Sequence, residues 1–361
     1  MNRRDFLWQT GTMCAGLALS KAVPLFADAS VSGWRMFEVT TRVEVLKPTG
    51  VTHIWLPAAL IRQTPFQKTL ANKYVAEGGT AKFTQSKGDS LGIVTATYAE
   101  HAKPVLTLTS RVSLKNYGVD LSSPSKVANA SRSELEYYRR PSKYVPTDGI
   151  VKETGDKATK GATSDIDKAR AIYEWIVENT FRDPKVRGCG RGDIRIMLES
   201  GDLGGKCADL NSLYVGLARA AGLPARHVYG IRVAKSELGY KSLGVATDQI
   251  SKAQHCRAEV YLNQHGWVPV DPADVRKVVL EEPPGNLKLS DEMVAKARTR
   301  LFGSWEMNWM GYNYAQDVVL PGSSGQPLVY FMYPQAETTE GRLDPFDPDN
   351  FKYEITVKET T

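Results

Sequence analysis

The spacing of hydrophobic positions changes character along the chain. From Trp34 to about Leu114 they alternate with polar ones, in Phe37 to Val45, Val51 to Leu56, Gly92 to Tyr98 and Leu106 to Leu114. A period of two is that of a strand with one buried face, and Gly, Pro, Asn and Lys punctuate the runs. Residues 30–125 therefore read as an antiparallel β-sandwich domain. Residues 126–163 are polar, rich in Pro, Ser and Lys, and read as a linker lying across a surface, long enough to carry short helices. From Ser164 the period becomes helical: Ile166, Ala169, Ile172, Tyr173, Ile176, Val177 and Phe181 share one face, with Ser164 and Asp167 as a capping box. A second helix is predicted from Cys207 to Ala221, closed by Gly222 with Pro224 just beyond. Strands are predicted at Arg226 to Val233, Cys256 to Leu262 and Trp267 to Val270, the last two joined as a hairpin through Asn263 to Gly266. Residues 164–300 thus form an α+β unit. Residues 301–361, rich in Trp and Tyr and ending in the strand-like Phe351 to Val357, read as a β extension on that unit or on the N-terminal domain.

Length supports this division, since 361 residues exceed one ordinary core. The net charge of +6 is spread along the chain rather than bunched, which argues against nucleic acid as a partner. The first residues change the picture more. Arg3-Arg4 precede Phe6-Leu7, a modestly apolar run to Leu25, and small residues offering cleavage after Ala27 or Ala29. Residues 1–29 therefore read as a twin-arginine signal peptide. Gln9, Thr10, Ser20 and Lys21 interrupt a run already short for a membrane span, so no stable membrane insertion is expected after cleavage. The mature protein is expected to be periplasmic or secreted. Loss of Cys14 with the signal leaves Cys189, Cys207 and Cys256. An odd count in an oxidising compartment means a free reactive thiol, or one disulfide with one thiol left over; a Cys189–Cys256 pair would leave Cys207 free.

Cys207 carries the candidate chemistry. Gly204-Gly205-Lys206 lets the backbone turn sharply into the second helix, and a helix N-terminus with an adjacent cation stabilises a thiolate. Alone this is weak, because a cysteine opening a helix is more often a small buried residue. His255 begins a strand and Asp271 ends its hairpin partner, so the carboxylate falls beside the imidazole and can orient it toward a thiol. Histidine as an edge residue and aspartate as a turn before Pro272 are ordinary readings singly; the coincidence of all three is less so. Cys189, Cys207, Cys256 and His255 lack paired metal-ligand spacing, and no metal or other cofactor is expected. Asp209 is read as a cap, Arg226 as a structural partner of a carboxylate, and His227 and His265 as bland. Trp305, Trp309, Tyr312 and Tyr314 are read as packing residues, with a groove wall as their alternative role.

The stretches Gly205 to Asn211, Leu217 to Arg226, His255 to Tyr261 and Gly266 to Pro272 resemble the transglutaminase-like superfamily. That resemblance implies a papain-like core in which a cysteine helix lies on an antiparallel sheet bearing His and Asp. It carries nucleophile, base and orienting carboxylate onto Cys207, His255 and Asp271. It implies an exported cysteine-dependent amide hydrolase, a peptidase or amidase acting on a peptide or protein amide, cell-wall peptide included. Acyl transfer to an amine, as in a transglutaminase, and a non-catalytic peptide- or cell-wall-binding module are the alternatives. The family's common His-Ala-Trp is His255-Cys256-Arg257 here, which places a cation beside the base and leaves substrate preference open.

Overall fold

The structure, a computed structural model, describes residues 33–124 and 130–360. The signal segment read at residues 1–29 lies outside the described residues. The alternating segments form two antiparallel sheets. One has the order Phe351–Thr360, Arg35–Val45, Val105–Leu114, Gln67–Glu77. The other runs Gly341–Arg342, Gln335–Thr338, Thr52–Pro57, Leu91–Tyr98, Thr80–Ser86. Between them Val43, Leu106 and Leu108 meet Ile54, Leu56, Val94 and Ala96, all buried. This is the β-rich unit that the period of two predicts. The strands Gln67–Glu77 and Thr80–Ser86 escape that reading because they are edge strands with mostly half-exposed side chains and little apolar alternation.

Short helices Arg132–Tyr137 and Gly149–Ala158 follow. Helix Asp165–Asn179 starts on the expected capping box: Asp167 N–H donates to Ser164 Oγ at 3.1 Å, and Ser164 N–H to Asp167 Oδ2 at 3.1 Å. Helix Cys207–Ala220, buried along nearly its whole length, lies on the second antiparallel sheet system. It ends in a Schellman turn, with Gly222 at φ +88° and Leu223 N–H donating to Ala218 O at 2.9 Å. The sheet beneath has the order Gly266–Val270, Gln254–Leu262, Ala225–Arg232, Trp309–Asn313. Its fourth strand comes from the C-terminal tail. The tail also supplies Phe351–Thr360 to the first sheet, in register with Arg35–Val45 from Val45↔Phe351 to Met36↔Thr360. The α+β class, a cysteine helix on an antiparallel sheet preceded by a β-rich unit, is thus the observed one.

The two units share a continuous apolar core in which Phe37, Phe66 and Val112 join Trp305 and Trp309. One polar clamp crosses it. Buried Gln67 donates through Nε2 to Gly311 O at 2.9 Å and accepts from Gly311 N–H at 2.7 Å. Gln67→Leu would strand the Gly311 N–H away from water at about 1–3 kcal/mol, while Gly311 O keeps the bond from Leu60 N–H at 3.0 Å. We expect a loss of about 1–3 kcal/mol in a denaturant titration; a change within error would mean that the clamp contributes nothing to joining the units.

Candidate active site

Cys207 is the first residue of its helix, so its amide has no carbonyl one turn earlier to bond. Three structures hold it in place. Gly204–Gly205 pair in parallel with Phe181–Arg182. Asp209, one turn into the helix, accepts from Lys206 N–H, Arg191 N–H and Gly192 N–H, each at 2.9 Å. This ties the glycine-rich loop to the helix start. Gly190 is at φ +96°, and a Cβ there would lie 1.8 Å from Asp209 Oδ2, so only glycine fits. Asp209 therefore caps, as expected. Ala208 N–H donates to Cys189 O at 2.8 Å, which brings the third element, Cys189, against the nucleophile candidate.

Among the described residues Cys189, Cys207 and Cys256 are all buried free thiols, so the Cys189–Cys256 disulfide alternative is not the arrangement found. Cys189 Sγ donates to Gln254 O at 3.3 Å and accepts from Tyr333 Oη at 3.0 Å. Cys189 and Cys256 both hydrogen-bond to the Cys207 sulfur. Those two bonds, with that of His255 and its charge, hold the Cys207 thiol well below its ordinary value against the opposing effect of burial. The flanking thiols move the other way: the bond to Cys207 and burial push Cys189 up, and burial and the bond to Cys207 push Cys256 up.

His255 Nε2 is 2.7 Å from Asp271 Oδ2 and 3.4 Å from Asp274 Oδ1, which leaves Nδ1 as the ring atom available to the thiol. Asp271 caps helix Pro272–Glu281, accepting from Asp274 N–H at 3.1 Å through Oδ1, and also accepts from Asn211 Nδ2 at 3.2 Å. The hairpin register differs from the simple expectation. Ala258 faces Val270, so Asp271 continues opposite Arg257 and not opposite His255. The turn into the helix swings the carboxylate back by two residues. It leaves Arg257 Nε 3.7 Å from Asp271 Oδ2.

Burial and the charge of Arg232 push the imidazolium down, but Asp274 and Asp271 outweigh them and leave His255 above its ordinary value. Burial and then Asp274 push Asp271 up, partly offset by His255 and Arg257. Asp274, despite burial, is held well below the carboxylate range by Arg232 at 2.6 Å and by His255. The ligand atoms of His255, Asp271 and Asp274 lie within 4.8 Å of one another, a spacing that suits a cation; Arg232 and Arg257 bring positive charge to the same place.

Asp274 and Arg232 were not singled out by sequence spacing, since their link crosses from one strand to the start of a helix. Gln254 was missed too: it lines the cleft, and its side-chain nitrogen is buried without a hydrogen-bond partner. Arg257 faces away from the cleft, under Trp305 and Trp309 at 5.4 and 4.9 Å, so it supports Asp271 and does not contact the substrate space. Arg226 is bound to Glu259 at 2.7 Å and stacked on Trp267. His227 is buried with Ser212 as its partner at 2.9 Å, and His265 is buried in the hairpin turn. Trp305, Trp309, Tyr312 and Tyr314 are core residues. The aromatic wall of the cleft is made instead by Tyr333, Phe346, Phe351 and Tyr353. The cleft has a volume of about 850 Å³ and contains Cys207 and His255, each 4% exposed.

The model of the transglutaminase-like superfamily matches residues 152–272, a span that includes Cys207, His255 and Asp271. An uncharacterized protein of Haemophilus influenzae is 36% identical over 349 residues, covering 90% of this chain and 91% of that protein. A Cytophaga hutchinsonii crystal structure, provisionally named a cysteine protease, covers 91% of this chain and 99% of its own at 16% identity and a TM-score of 0.51. That likeness is one of fold. With the cysteine helix, the sheet beneath it and the matched span in agreement, the chain belongs to the transglutaminase-like superfamily, a superfamily of cysteine-dependent enzymes.

Proposed function

We propose that the protein is an exported, cysteine-dependent amide hydrolase in which Cys207 is the nucleophile, His255 the general acid–base and Asp271 the orienting carboxylate. The observation that carries this reading is the His255–Asp271 pair at 2.7 Å in the same open cleft as Cys207, whose thiol is held well below its ordinary value. The thiolate attacks the amide carbonyl carbon and a C–S bond forms. The helix's first amide, Cys207 N–H, is the candidate donor to the developing oxyanion. His255 protonates the departing amine, and the C–N bond breaks to leave a thioester. Water, losing its proton to His255, then releases the acid and returns the thiolate. Exposed Lys252 and Lys352 line the cleft's rim, so bulk water reaches the thioester, whereas an acceptor amine would need a binding site of its own. Export is proposed on the twin arginines and apolar run of residues 3–25.

Three outcomes test this reading. A thiol whose anion is stabilised gives up its proton at lower pH. Alkylation of Cys207 by iodoacetamide should therefore stay on its plateau below pH 9 and fall only in an acidic limb. In His255→Ala the midpoint moves up and the rate at pH 7 should drop several-fold, though not to that of an ordinary thiol, because Cys189 and Cys256 remain beside the sulfur. Slow alkylation indifferent to His255→Ala would leave a binding module. Asp271→Asn keeps the helix cap and the bond to Asn211 while favouring the wrong imidazole tautomer. It should lower kcat/KM on the order of 10³–10⁴, and Tm should fall as well because Arg257 loses its buried counter-charge; retained activity would remove Asp271 from its role. Incubation of an activated peptide amide with a labelled primary amine should give mainly free acid, and a dominant labelled adduct would make the enzyme a transglutaminase.

A further inference from the structure

The cleft above Cys207 holds more cations than carboxylates. Arg182, Lys206, Arg232, Lys252, Lys277 and Lys352 line it, against Glu281 and Glu354. Part of that charge is already matched. Glu281 lies between Arg182 and Lys277, reaching Lys277 at 2.8 Å. Lys352 faces Glu354 at 3.4 Å, and Arg232 is committed to Asp274 behind His255. Lys206 and Lys252 have no carboxylate within ion-pair distance among the described residues. Their positions in the chain are informative. Lys206 immediately precedes the nucleophile candidate, and Lys252 lies three residues before His255 in the segment entering the histidine strand. Glu281, shared by two cations, cannot neutralise both. The cleft lining also has an apolar part, formed by Tyr333, Phe346, Phe351 and Tyr353.

A neutral amide has no use for unmatched cations in a concave site, whereas an anionic one is both attracted into the cleft and held there. Resting on the hydrolase reading above, we propose that the cleft selects acyl donors carrying carboxylates beside the scissile amide: acidic peptides, bound with Lys206 and Lys252 on the carboxylates and the chain laid against the aromatic wall. The carboxylates have two possible sources, acidic side chains and the free α-carboxylate of a peptide end. Both offer the same anion, and Lys206 and Lys252 recognise it through charge without fixing which source supplies it.

The test uses the mature chain and two alkylating probes that differ in charge. Iodoacetate is itself a carboxylate and iodoacetamide is neutral. At low salt the iodoacetate to iodoacetamide rate ratio at Cys207 should exceed that of a small free thiol by about 10-fold. It should fall toward the free-thiol value at about 0.5 M NaCl, where screening extends over only a few ångströms. Lys252→Glu should lower the ratio by a similar factor. Three matched peptide amides then distinguish the sources: one with Glu beside the scissile bond and an amidated end, one with Gln and a free end, and one with Gln and an amidated end. Cleavage of one or both anionic peptides at least about 10-fold faster than the neutral peptide is expected, and the faster arm names the source. Rapid alkylation with no gain in ratio and equal cleavage of all three peptides would overturn the selectivity and leave the hydrolase standing. Slow alkylation of Cys207 by both probes would overturn the hydrolase reading and this inference with it.

Discussion

The site depends on keeping five ionisable side chains dry in one place. His255, Asp271, Asp274, Arg232 and Arg257 have side chains no more than 5% exposed. A single unpaired ion buried this way costs several kcal/mol, so the group is tolerable only if its charges cancel. They do: two guanidinium groups balance two carboxylates within 2.6 to 3.7 Å. A Cys207 thiolate and a His255 imidazolium then add one negative and one positive charge. Proton transfer between them would leave the net charge of the dry region unchanged, and that neutrality is what the proposed ion pair would need away from water.

Within this balance the two aspartates are not equivalent. Asp274 is occupied by Arg232 at 2.6 Å and held strongly ionised. Asp271 has a looser guanidinium neighbour, Arg257 at 3.7 Å, and burial and Asp274 both push its proton affinity up. It is therefore the carboxylate that gains most from an imidazolium 2.7 Å away. Arg257 is itself incompletely satisfied, since its Nε has no hydrogen-bond partner, and the faces of Trp305 and Trp309 take up part of its charge. Trp309 then donates its indole N–H to His255 O at 2.9 Å. One tryptophan thus supports both the cation beneath Asp271 and the backbone that carries His255.

How much of this could be read from the sequence depended on how local each feature is. The cysteine at a helix start was legible because glycines precede it, apolar residues follow at helical spacing and Gly222 closes the helix, all within one segment. The histidine–aspartate pairing was legible in outline, because a short turn joins its two strands. Its register was not. The carboxylate reaches His255 from a helix cap, and nothing in the alternation of Cys256 to Val270 announces the two-residue offset. Cys189 lies in a glycine loop whose placement is set by Asp209, across a separation that no periodicity reports. Arg232 shows the same limit: on its strand it reads as one more polar position, and only the fold sets it against Asp274.

The C-terminal tail extends that limit to the cleft. The cationic floor comes largely from residues 182–277, while the aromatic wall comes from residues 333–353. The wall's position is set by strand Phe351–Thr360, hydrogen-bonded to Arg35–Val45 across more than three hundred residues of sequence. The β-rich unit is therefore part of the site at one remove: it holds the wall at its distance from Cys207. Pairings of this separation carry the largest loop-closure cost and are rewarded only once the intervening structure has formed. Cys207, His255 and Asp271 can approach one another within a segment of some 65 residues. The cleft that would give them a substrate needs both ends of the chain in place, so selectivity here is a property of the assembled fold more than of the matched family core.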